Sequence, residues 1–300
     1  VGDRVTVAEP DWQGQRGAIA EVWPRHNQLE RPPVANVDQA LLVCSLTDPP
    51  LNVHQISRFL VALESAGLKV LPCLSKADLL PVEDQQAWCD RLRDWGYQPT
   101  VISVYAGTGL SALQAQLQNC TTVLAGPSGV GKSSFLQVMA PSVEVRVGSI
   151  SERWRRGKHT TRHVELFELP SGGFLADTPG FNQPTLTCRP EQLIECFPEG
   201  RMRLADHHCQ FKDCLHRDEP NCVVRGSWER YDHYLTFLEE AITYQTQLQQ
   251  SKNPEAKTKR KYTASGTVSD EPLLDFKRHR RTARRTQLQS LEQLYEETEE

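Results

Sequence analysis

The sequence predicts a multidomain chain. A central α/β domain with a mainly parallel sheet follows a short β segment and precedes a Cys/His-bearing α segment. Three observations carry this. From Val37 onward, continuous apolar runs alternate with stretches of helical spacing, the pattern of strands covered on both faces. "GPSGVGKS", Gly126–Ser133, lies between such a strand and such a helix. "CQFKDCLHRDEPNC", starting at Cys209, gathers three cysteines and a histidine after the strand pattern stops. The expected divisions are 1–36, 37–197, 198–250 and a charged tail, 251–300, read as disordered or ordered by a partner.

Each element has its own reason. "VGDRVTVAEPDWQGQRGAIAEVW" has short alternating stretches broken by Gly and Pro, which read as small strands and turns, too few to close a barrel alone. "DQALLVCSL" is an apolar strand. "NVHQISRFLVALESAG" spaces Ile56, Leu60 and Leu63 as a helix and ends in glycine. "LKVLPCL" is the next strand, Glu83–Trp95 a helix, "PTVISV" a strand, "GLSALQAQL" a helix and "TTVLAG" a strand. Another helix follows the Gly126 loop, then the strands "HVELFEL" and "GGFLADTPG". A helix is expected over Ser227–Gln250 and a late helical stretch near Leu288–Tyr295.

Composition narrows the function classes. Net charge is −4, so the molecule is no polycation, although "RWRRGKHTTR" (Arg153–Arg162) and "KRHRRTARR" (Lys277–Arg285) are dense basic runs able to meet nucleic-acid phosphates. No apolar run approaches the ~18 residues of a membrane span. Nine cysteines, mostly scattered, suit a reducing compartment rather than a secreted disulfide scaffold.

Gly126, Gly131, Lys132 and Ser133 fit G-x-x-x-x-G-K-[ST] in its required strand–helix context. The loop Gly126, Pro127, Ser128, Gly129, Val130, Gly131, running into Lys132, Ser133 and Ser134, is the candidate phosphate cradle. Its backbone N–H groups and the helix N-terminus favour anions. Lys132 is placed to bridge β- and γ-phosphates, and Ser133 to ligate Mg²⁺. Downstream, "FLADTPG" ends a strand in Asp177, suited to holding Mg²⁺ through water, while Gly180 suits a backbone approaching the γ-phosphate. Between them, "RRGKHTTRH" offers Thr160 and Thr161 as alternative switch-loop ligands of Mg²⁺, Thr161 being the candidate.

"SKAD", Ser75–Asp78, ends an apolar strand. An [NT]-K-x-D sequence reads guanine: the Asp accepts from the ring N–H and exocyclic amine, and the Lys packs along the base. The expectation is therefore GTP and GDP rather than ATP, with Ser75 in the usual Asn position making fewer tethers. Ser103 and Val104 stand where a typical GTPase has Ser-Ala, whose backbone contacts guanine. Base recognition thus precedes the phosphate loop, the order of a circularly permuted GTPase. Such permutation is tolerated because domain termini lie close together at the surface.

Cys209, Cys214, His216 and Cys222 form C-x4-C-x-H-x5-C. Three thiolates and an imidazole make a closed tetrahedral site for one structural Zn²⁺, which a segment this poor in apolar residues needs to fold.

Together "PRHNQLERPPVANVDQ", "SKAD", "GPSGVGKS", "GKHTTRH", "DTPGF", "FPEG" and the Cys/His cluster closely resemble the RsgA (YjeQ) family, from Val1 to about Tyr234. The resemblance implies an N-terminal OB-fold, here partial because the chain opens inside it, a circularly permuted P-loop GTPase domain and a C-terminal zinc-binding domain. It implies binding to the small ribosomal subunit and its rRNA, late subunit maturation, and ribosome-stimulated hydrolysis of GTP. Phe181 follows D-x-x-G where Ras-like enzymes place a water-orienting Gln, so intrinsic turnover is expected to be slow. The resemblance points to the switch loop for that task, with His159 the candidate and RNA or solvent contact its alternative role. A monomer without membrane contact is expected, in the cytoplasm, or in a plastid stroma if a transit peptide preceded Val1. The competing functions are a nucleotide-switched RNA-binding module with incidental hydrolysis, a P-loop ATPase or kinase, and a large-subunit assembly GTPase.

Overall fold

The computed structural model describes residues 1–11, 14, 16–29, 33–141, 164–177, 184, 186–252, 258–262 and 268–272. They fall into two units, Val1–Gln245 and Thr246–Glu300.

β1 (Val5–Asp11) and β2 (Arg16–Val22) form an antiparallel hairpin whose residues are almost all exposed. β3 (Gln28–Leu29) and β4 (Val34–Ala35) pair antiparallel. Among the described residues these remain two separate ladders. Two asparagine amides splice this segment to the chain at Asn36 and Val37. Asn27 exchanges both hydrogen bonds with the Val37 backbone, at 2.6 and 2.8 Å. Asn36, with φ of 57°, accepts from the His26 N–H and donates to the Gly2 carbonyl.

β5 (Gln39–Ser45) is buried along its whole length. α1 (Val53–Ser65) starts on Asn52, whose side-chain oxygen accepts from the Gln55 N–H at 2.9 Å, one of the orphan donors of a first turn. β6 (Lys69–Ser75), α2 (Val82–Asp94), the two-residue β7 (Thr100–Val101), α3 (Leu110–Leu117), β8 (Thr121–Ala125) and α4 (Lys132–Met139) follow, then β9 (Glu165–Glu168) and β10 (Phe174–Asp177). The sheet order is β7-β6-β5-β8-β10-β9. All its ladders are parallel except β9 with β10. β5 shows why a parallel strand reads as an unbroken apolar run. Ala40, Leu42 and Cys44 enter the core beneath α1 and α2, while Leu41 and Val43 enter the core beneath α3 and α4, the two-residue alternation of a pleated strand.

The chain builds β5, β6 and β7 outward in one direction, then crosses back to lay β8 on β5's other side. That reversal is the crevice where open α/β sheets bind ligands, beyond the strands' carboxyl ends.

α1 also buries a second face. Val61 and Ala62 join Leu186, Leu193, Phe197, Trp228, Tyr234 and Phe237 in a third apolar cluster. This cluster unites a 3₁₀ segment (Pro190–Cys196), α5 (Pro198–Asp206) and α6 (Tyr231–Lys252). The helix expected from Ser227 begins instead at Tyr231, because Gly226–Arg230 form turns closed by Trp228 N–H to Gly226 and Tyr231 N–H to Trp228. In the second unit, two short strands lie within the stretch expected to be disordered or ordered by a partner. β11 (Thr258–Tyr262) and β12 (Val268–Pro272) pair antiparallel, Thr258 opposite Pro272 and Tyr262 opposite Val268. The stretch near Leu288–Tyr295 and both dense basic runs lie outside the described residues.

Candidate nucleotide site and Cys/His centre

Gly126 leaves β8 with φ of 135°, against the end of β5. A Cβ there would stand 2.1 Å from the Val43 carbonyl oxygen, so only glycine fits. Ser128 and Gly129 are exposed at the tip, and Val130 turns inward, 1% exposed. Gly131, with φ of 98°, occupies the N-cap of α4, making Lys132 and Ser133 the helix's first residues, with Ser134 exposed beside them. Lys132 Nζ donates to the Gly126 and Pro127 carbonyls at 2.7 and 2.6 Å. It thus lies over the loop it would share with phosphates. Burial pushes its pKa down to about 8, against the attraction of Asp177 and Cys44. Asp177 ends β10, whose register with β8 (Phe174↔Thr121 to Ala176↔Val123) carries it beside the start of the phosphate loop.

The base motif arrives at the same edge on β6. Ser75 is buried, and its Oγ lies 2.7 Å from the Val130 carbonyl oxygen and 3.1 Å from that of Cys44. One hydroxyl proton serves both acceptors. A serine therefore does tether the base motif to the phosphate loop, fifty-five positions away in sequence, and only the number of tethers is smaller than an amide could supply. Lys76 takes a left-handed conformation, φ 56°, and its Nζ donates to the Asp48 carbonyl with the Asp48 carboxylate 3.5 Å away. Asp78 sits exposed in a 3₁₀ turn, Ala77–Leu79, and accepts from the Ser103 hydroxyl. Ser103 Oγ in turn accepts from the Ala106 N–H at 2.9 Å. Val104 packs its side chain against the core under α3 and α4, leaving only its backbone for a ligand.

The fold therefore brings Ser75, Lys76, Asp78, Ser103 and Val104 to one strand-end edge with the phosphate loop and Asp177. His159, Thr160, Thr161, Gly180 and Phe181 lie outside the described residues.

Cys209, Cys214, His216 and Cys222 also converge, their ligand atoms all within 4.8 Å of one another. His216 Nδ1 stands 3.5, 3.5 and 3.4 Å from the sulfurs of Cys209, Cys214 and Cys222, and the Cys209 and Cys222 sulfurs are 3.9 Å apart. A tetrahedral Zn²⁺ with ordinary bond lengths requires about 3.6 Å between nitrogen and sulfur and about 3.8 Å between sulfurs. The four groups fit that ion, and they select Nδ1, which spacing alone does not reveal. Burial pushes the Cys214 thiol up to about 12; a divalent cation is the chemistry that turns such thiols into thiolates.

Sequence reasoning missed the residues that hold this centre. Tyr231 and Tyr234, one turn apart on α6, donate to the carbonyls of His216 and Leu215 at 2.9 and 2.6 Å. Glu219 accepts from the N–H groups of Leu215, Arg217 and Asp218. Burial opposes its charge, yet these backbone donors bring its pKa down to about 2. It also missed the fully buried Arg230, which pairs with Glu199 through two nitrogens and lies over the rings of Trp95 and Phe197, 4.8 Å from each centroid. "FPEG" thereby gains a physical meaning. Phe197 and Glu199 form the socket, Pro198 packs on Gly96, and a Cβ on Gly200 would strike Ile194 at 2.5 Å. Glu229 closes the junction, accepting from Trp95 Nε1 at 2.7 Å. An unpaired-looking Arg within "WERYDHY" gave no signal that its partner lay in "FPEG".

Comparison with known proteins agrees with this geometry. The RsgA GTPase family matches residues 22–187. The small ribosomal subunit biogenesis GTPase RsgA of Trichormus variabilis is 58% identical over 299 residues, covering 100% of this chain and 81% of that one. The protein of the same name from Microcystis aeruginosa is 51% identical, covering 99% and 83%. Among solved structures, YjeQ from Thermotoga maritima matches with a TM-score of 0.67 at 32% identity, covering 81% of this chain and 84% of that one. YloQ, described as a circularly permuted GTPase, matches with a TM-score of 0.65 at 36% identity, covering 81% and 80%. The chain carries the permuted P-loop GTPase fold and belongs to the RsgA GTPase family.

Proposed function

We propose that this chain binds GTP and hydrolyses it to GDP and phosphate on the small ribosomal subunit, assisting the subunit's late maturation. The observation that carries the nucleotide reading is the Ser75 hydroxyl on the Val130 carbonyl, which locks a guanine-reading strand end to a phosphate loop. The relatives named as small ribosomal subunit biogenesis GTPases supply the partner.

In this reading Asp78 accepts from guanine, and the Lys76 stem lies along the ring. The backbone of Gly126–Gly131 cradles the phosphates. Lys132 leaves the Gly126 and Pro127 carbonyls for the phosphate oxygens, whose negative charge favours its ammonium form. Ser133 and Thr161, with Asp177 behind them, would hold Mg²⁺, which spreads the charge developing on the transferred phosphoryl group. His159 orients the attacking water when the subunit is bound. Residues 1–36 act as OB-fold strands, 37–197 as the GTPase domain and 198–250 as a domain held by one Zn²⁺, the outer two gripping rRNA. The protein works as a monomer in the cytoplasm; among the described residues no helix is long and apolar enough to cross a membrane.

The test is GTP hydrolysis with and without purified small subunits, with ATP as control. Slow GTP turnover rising at least about tenfold with small subunits, and not with large ones, is expected for an enzyme whose stimulator completes the site. Tight subunit binding with flat turnover points instead to the nucleotide-switched RNA-binding module.

A further inference from the structure

We infer that Tyr105 stacks on the guanine ring as the second wall of the base site and sets how tightly the nucleotide is held. The inference rests on the guanine-site reading of Ser75–Asp78.

Tyr105 is 94% exposed, more than any other large apolar side chain among those described. The core therefore does not account for it. Its setting is nevertheless rigid. Ser103 and Thr108 exchange both backbone hydrogen bonds at 3.1 Å, and the Ala106 N–H reaches back to the Ser103 hydroxyl at 2.9 Å. Gly107 turns the tip with φ of 71°. Tyr105 therefore stands on a closed turn whose base, Ser103, is the residue that holds the Asp78 carboxylate.

Strand order places this turn on the open side of the ring. β6, which ends in the base motif, lies between β5 and β7. Lys76 runs toward the β5 side, where it meets Asp48 in the segment following that strand. The Ser103–Thr108 turn follows β7, on the opposite flank. A purine gripped at its edge by Asp78 would thus have the Lys76 stem along one face and Tyr105 within reach of the other. A flat ring already free of packing loses little on covering that face, and base–aromatic stacking tolerates any base because every base has a π-face.

The last property makes the role testable. Binding of GDP and of inosine diphosphate, which lacks the exocyclic amine, is measured by calorimetry on the full chain, unaltered and as Tyr105→Ala and Tyr105→Phe. Stacking predicts that Tyr105→Ala weakens both nucleotides about tenfold, leaves their ratio unchanged, and is rescued by Tyr105→Phe. Unchanged affinity in Tyr105→Ala overturns the inference. So does a loss that Phe fails to restore, or a collapse of the GDP preference, which would mean that the turn merely positions Asp78. Failure of the unaltered chain to bind GDP overturns the guanine-site reading itself, a different result from GDP binding that ignores Tyr105.

Discussion

The nucleotide site and the Cys/His centre solve one problem, holding several groups within a few ångströms, by different means. In the nucleotide site the positions are set by strand ends. β5, β6, β8 and β10 deliver Ser75, Gly126 and Asp177 to one edge, and much of the ligand-facing chemistry is backbone. In the Cys/His centre none of the four ligands lies in a helix or strand. Its loop is fixed by Tyr231 and Tyr234 from α6 and by Glu219 within it, and the start of the helix that carries the tyrosines is held by Arg230, which pairs with Glu199 and lies over the ring of Trp95 at the end of α2. A site on strand ends is rigid before its ligand arrives; a site on loops needs the ligand to become rigid.

Metal removal gives the largest expected effect and tests that contrast directly. Structural zinc sites contribute on the order of 10 kcal/mol to the fold that forms them. Chelation, or Cys214→Ser, should abolish amide-exchange protection across 207–226 while GDP affinity stays within about twofold, as expected for sites that share no ligand. A parallel loss of GDP affinity would break the comparison, showing that the strand-end site leans on the loop-built one.

The mooring comes next. Arg230→Met leaves Glu199, 7% exposed, without its partner, a change that costs about 3–5 kcal/mol. Thermal unfolding should fall by about 10 °C. Arg230→Met combined with Glu199→Leu should recover most of the loss, because removing both partners of a buried ion pair is far milder than removing one. If the single variant unfolds no earlier than the parent, the ion pair is incidental and the aromatic socket alone holds the module.

Asp78→Asn sharpens the other side. The exchange turns an acceptor toward guanine's exocyclic amine into a donor, so GDP should bind about 100-fold more weakly, the scale of losing charged hydrogen bonds. Xanthosine diphosphate, which presents a carbonyl at that position, should gain. Equal weakening of both nucleotides would place Asp78 outside the base site.

The same contrast explains what was readable in the sequence. Apolar strands, phosphate loop, base motif and Cys/His spacing are local patterns, legible because a few adjacent residues carry each. Arg230 and Glu199 are thirty-one positions apart and bury charges that read as surface. Tyr231 and Tyr234 look like one more aromatic pair on a helix, since their role lies in two distant carbonyls. Ser75 was legible as a departure from Asn, but not as a working tether, because its acceptor belongs to a loop on another strand. Support is nonlocal, and short motifs do not record it.

Ser75→Ala has the smallest expected effect and separates holding from reading. The substitution removes one hydroxyl from a buried site and leaves the Val130 and Cys44 carbonyls without that donor. A buried acceptor so deprived costs about 1–3 kcal/mol, shared here between stability and the loop's alignment. GDP affinity should therefore fall about five- to tenfold, and Ser75→Thr, which keeps the hydroxyl, should lose less. Preference for GDP over inosine diphosphate should not move, since Ser75 meets the loop and not the base, whereas Asp78→Asn alters that preference. A Ser75→Ala variant that loses preference along with affinity would mean the tether holds Asp78 in register as well as Val130, so that reading and holding are a single structural unit.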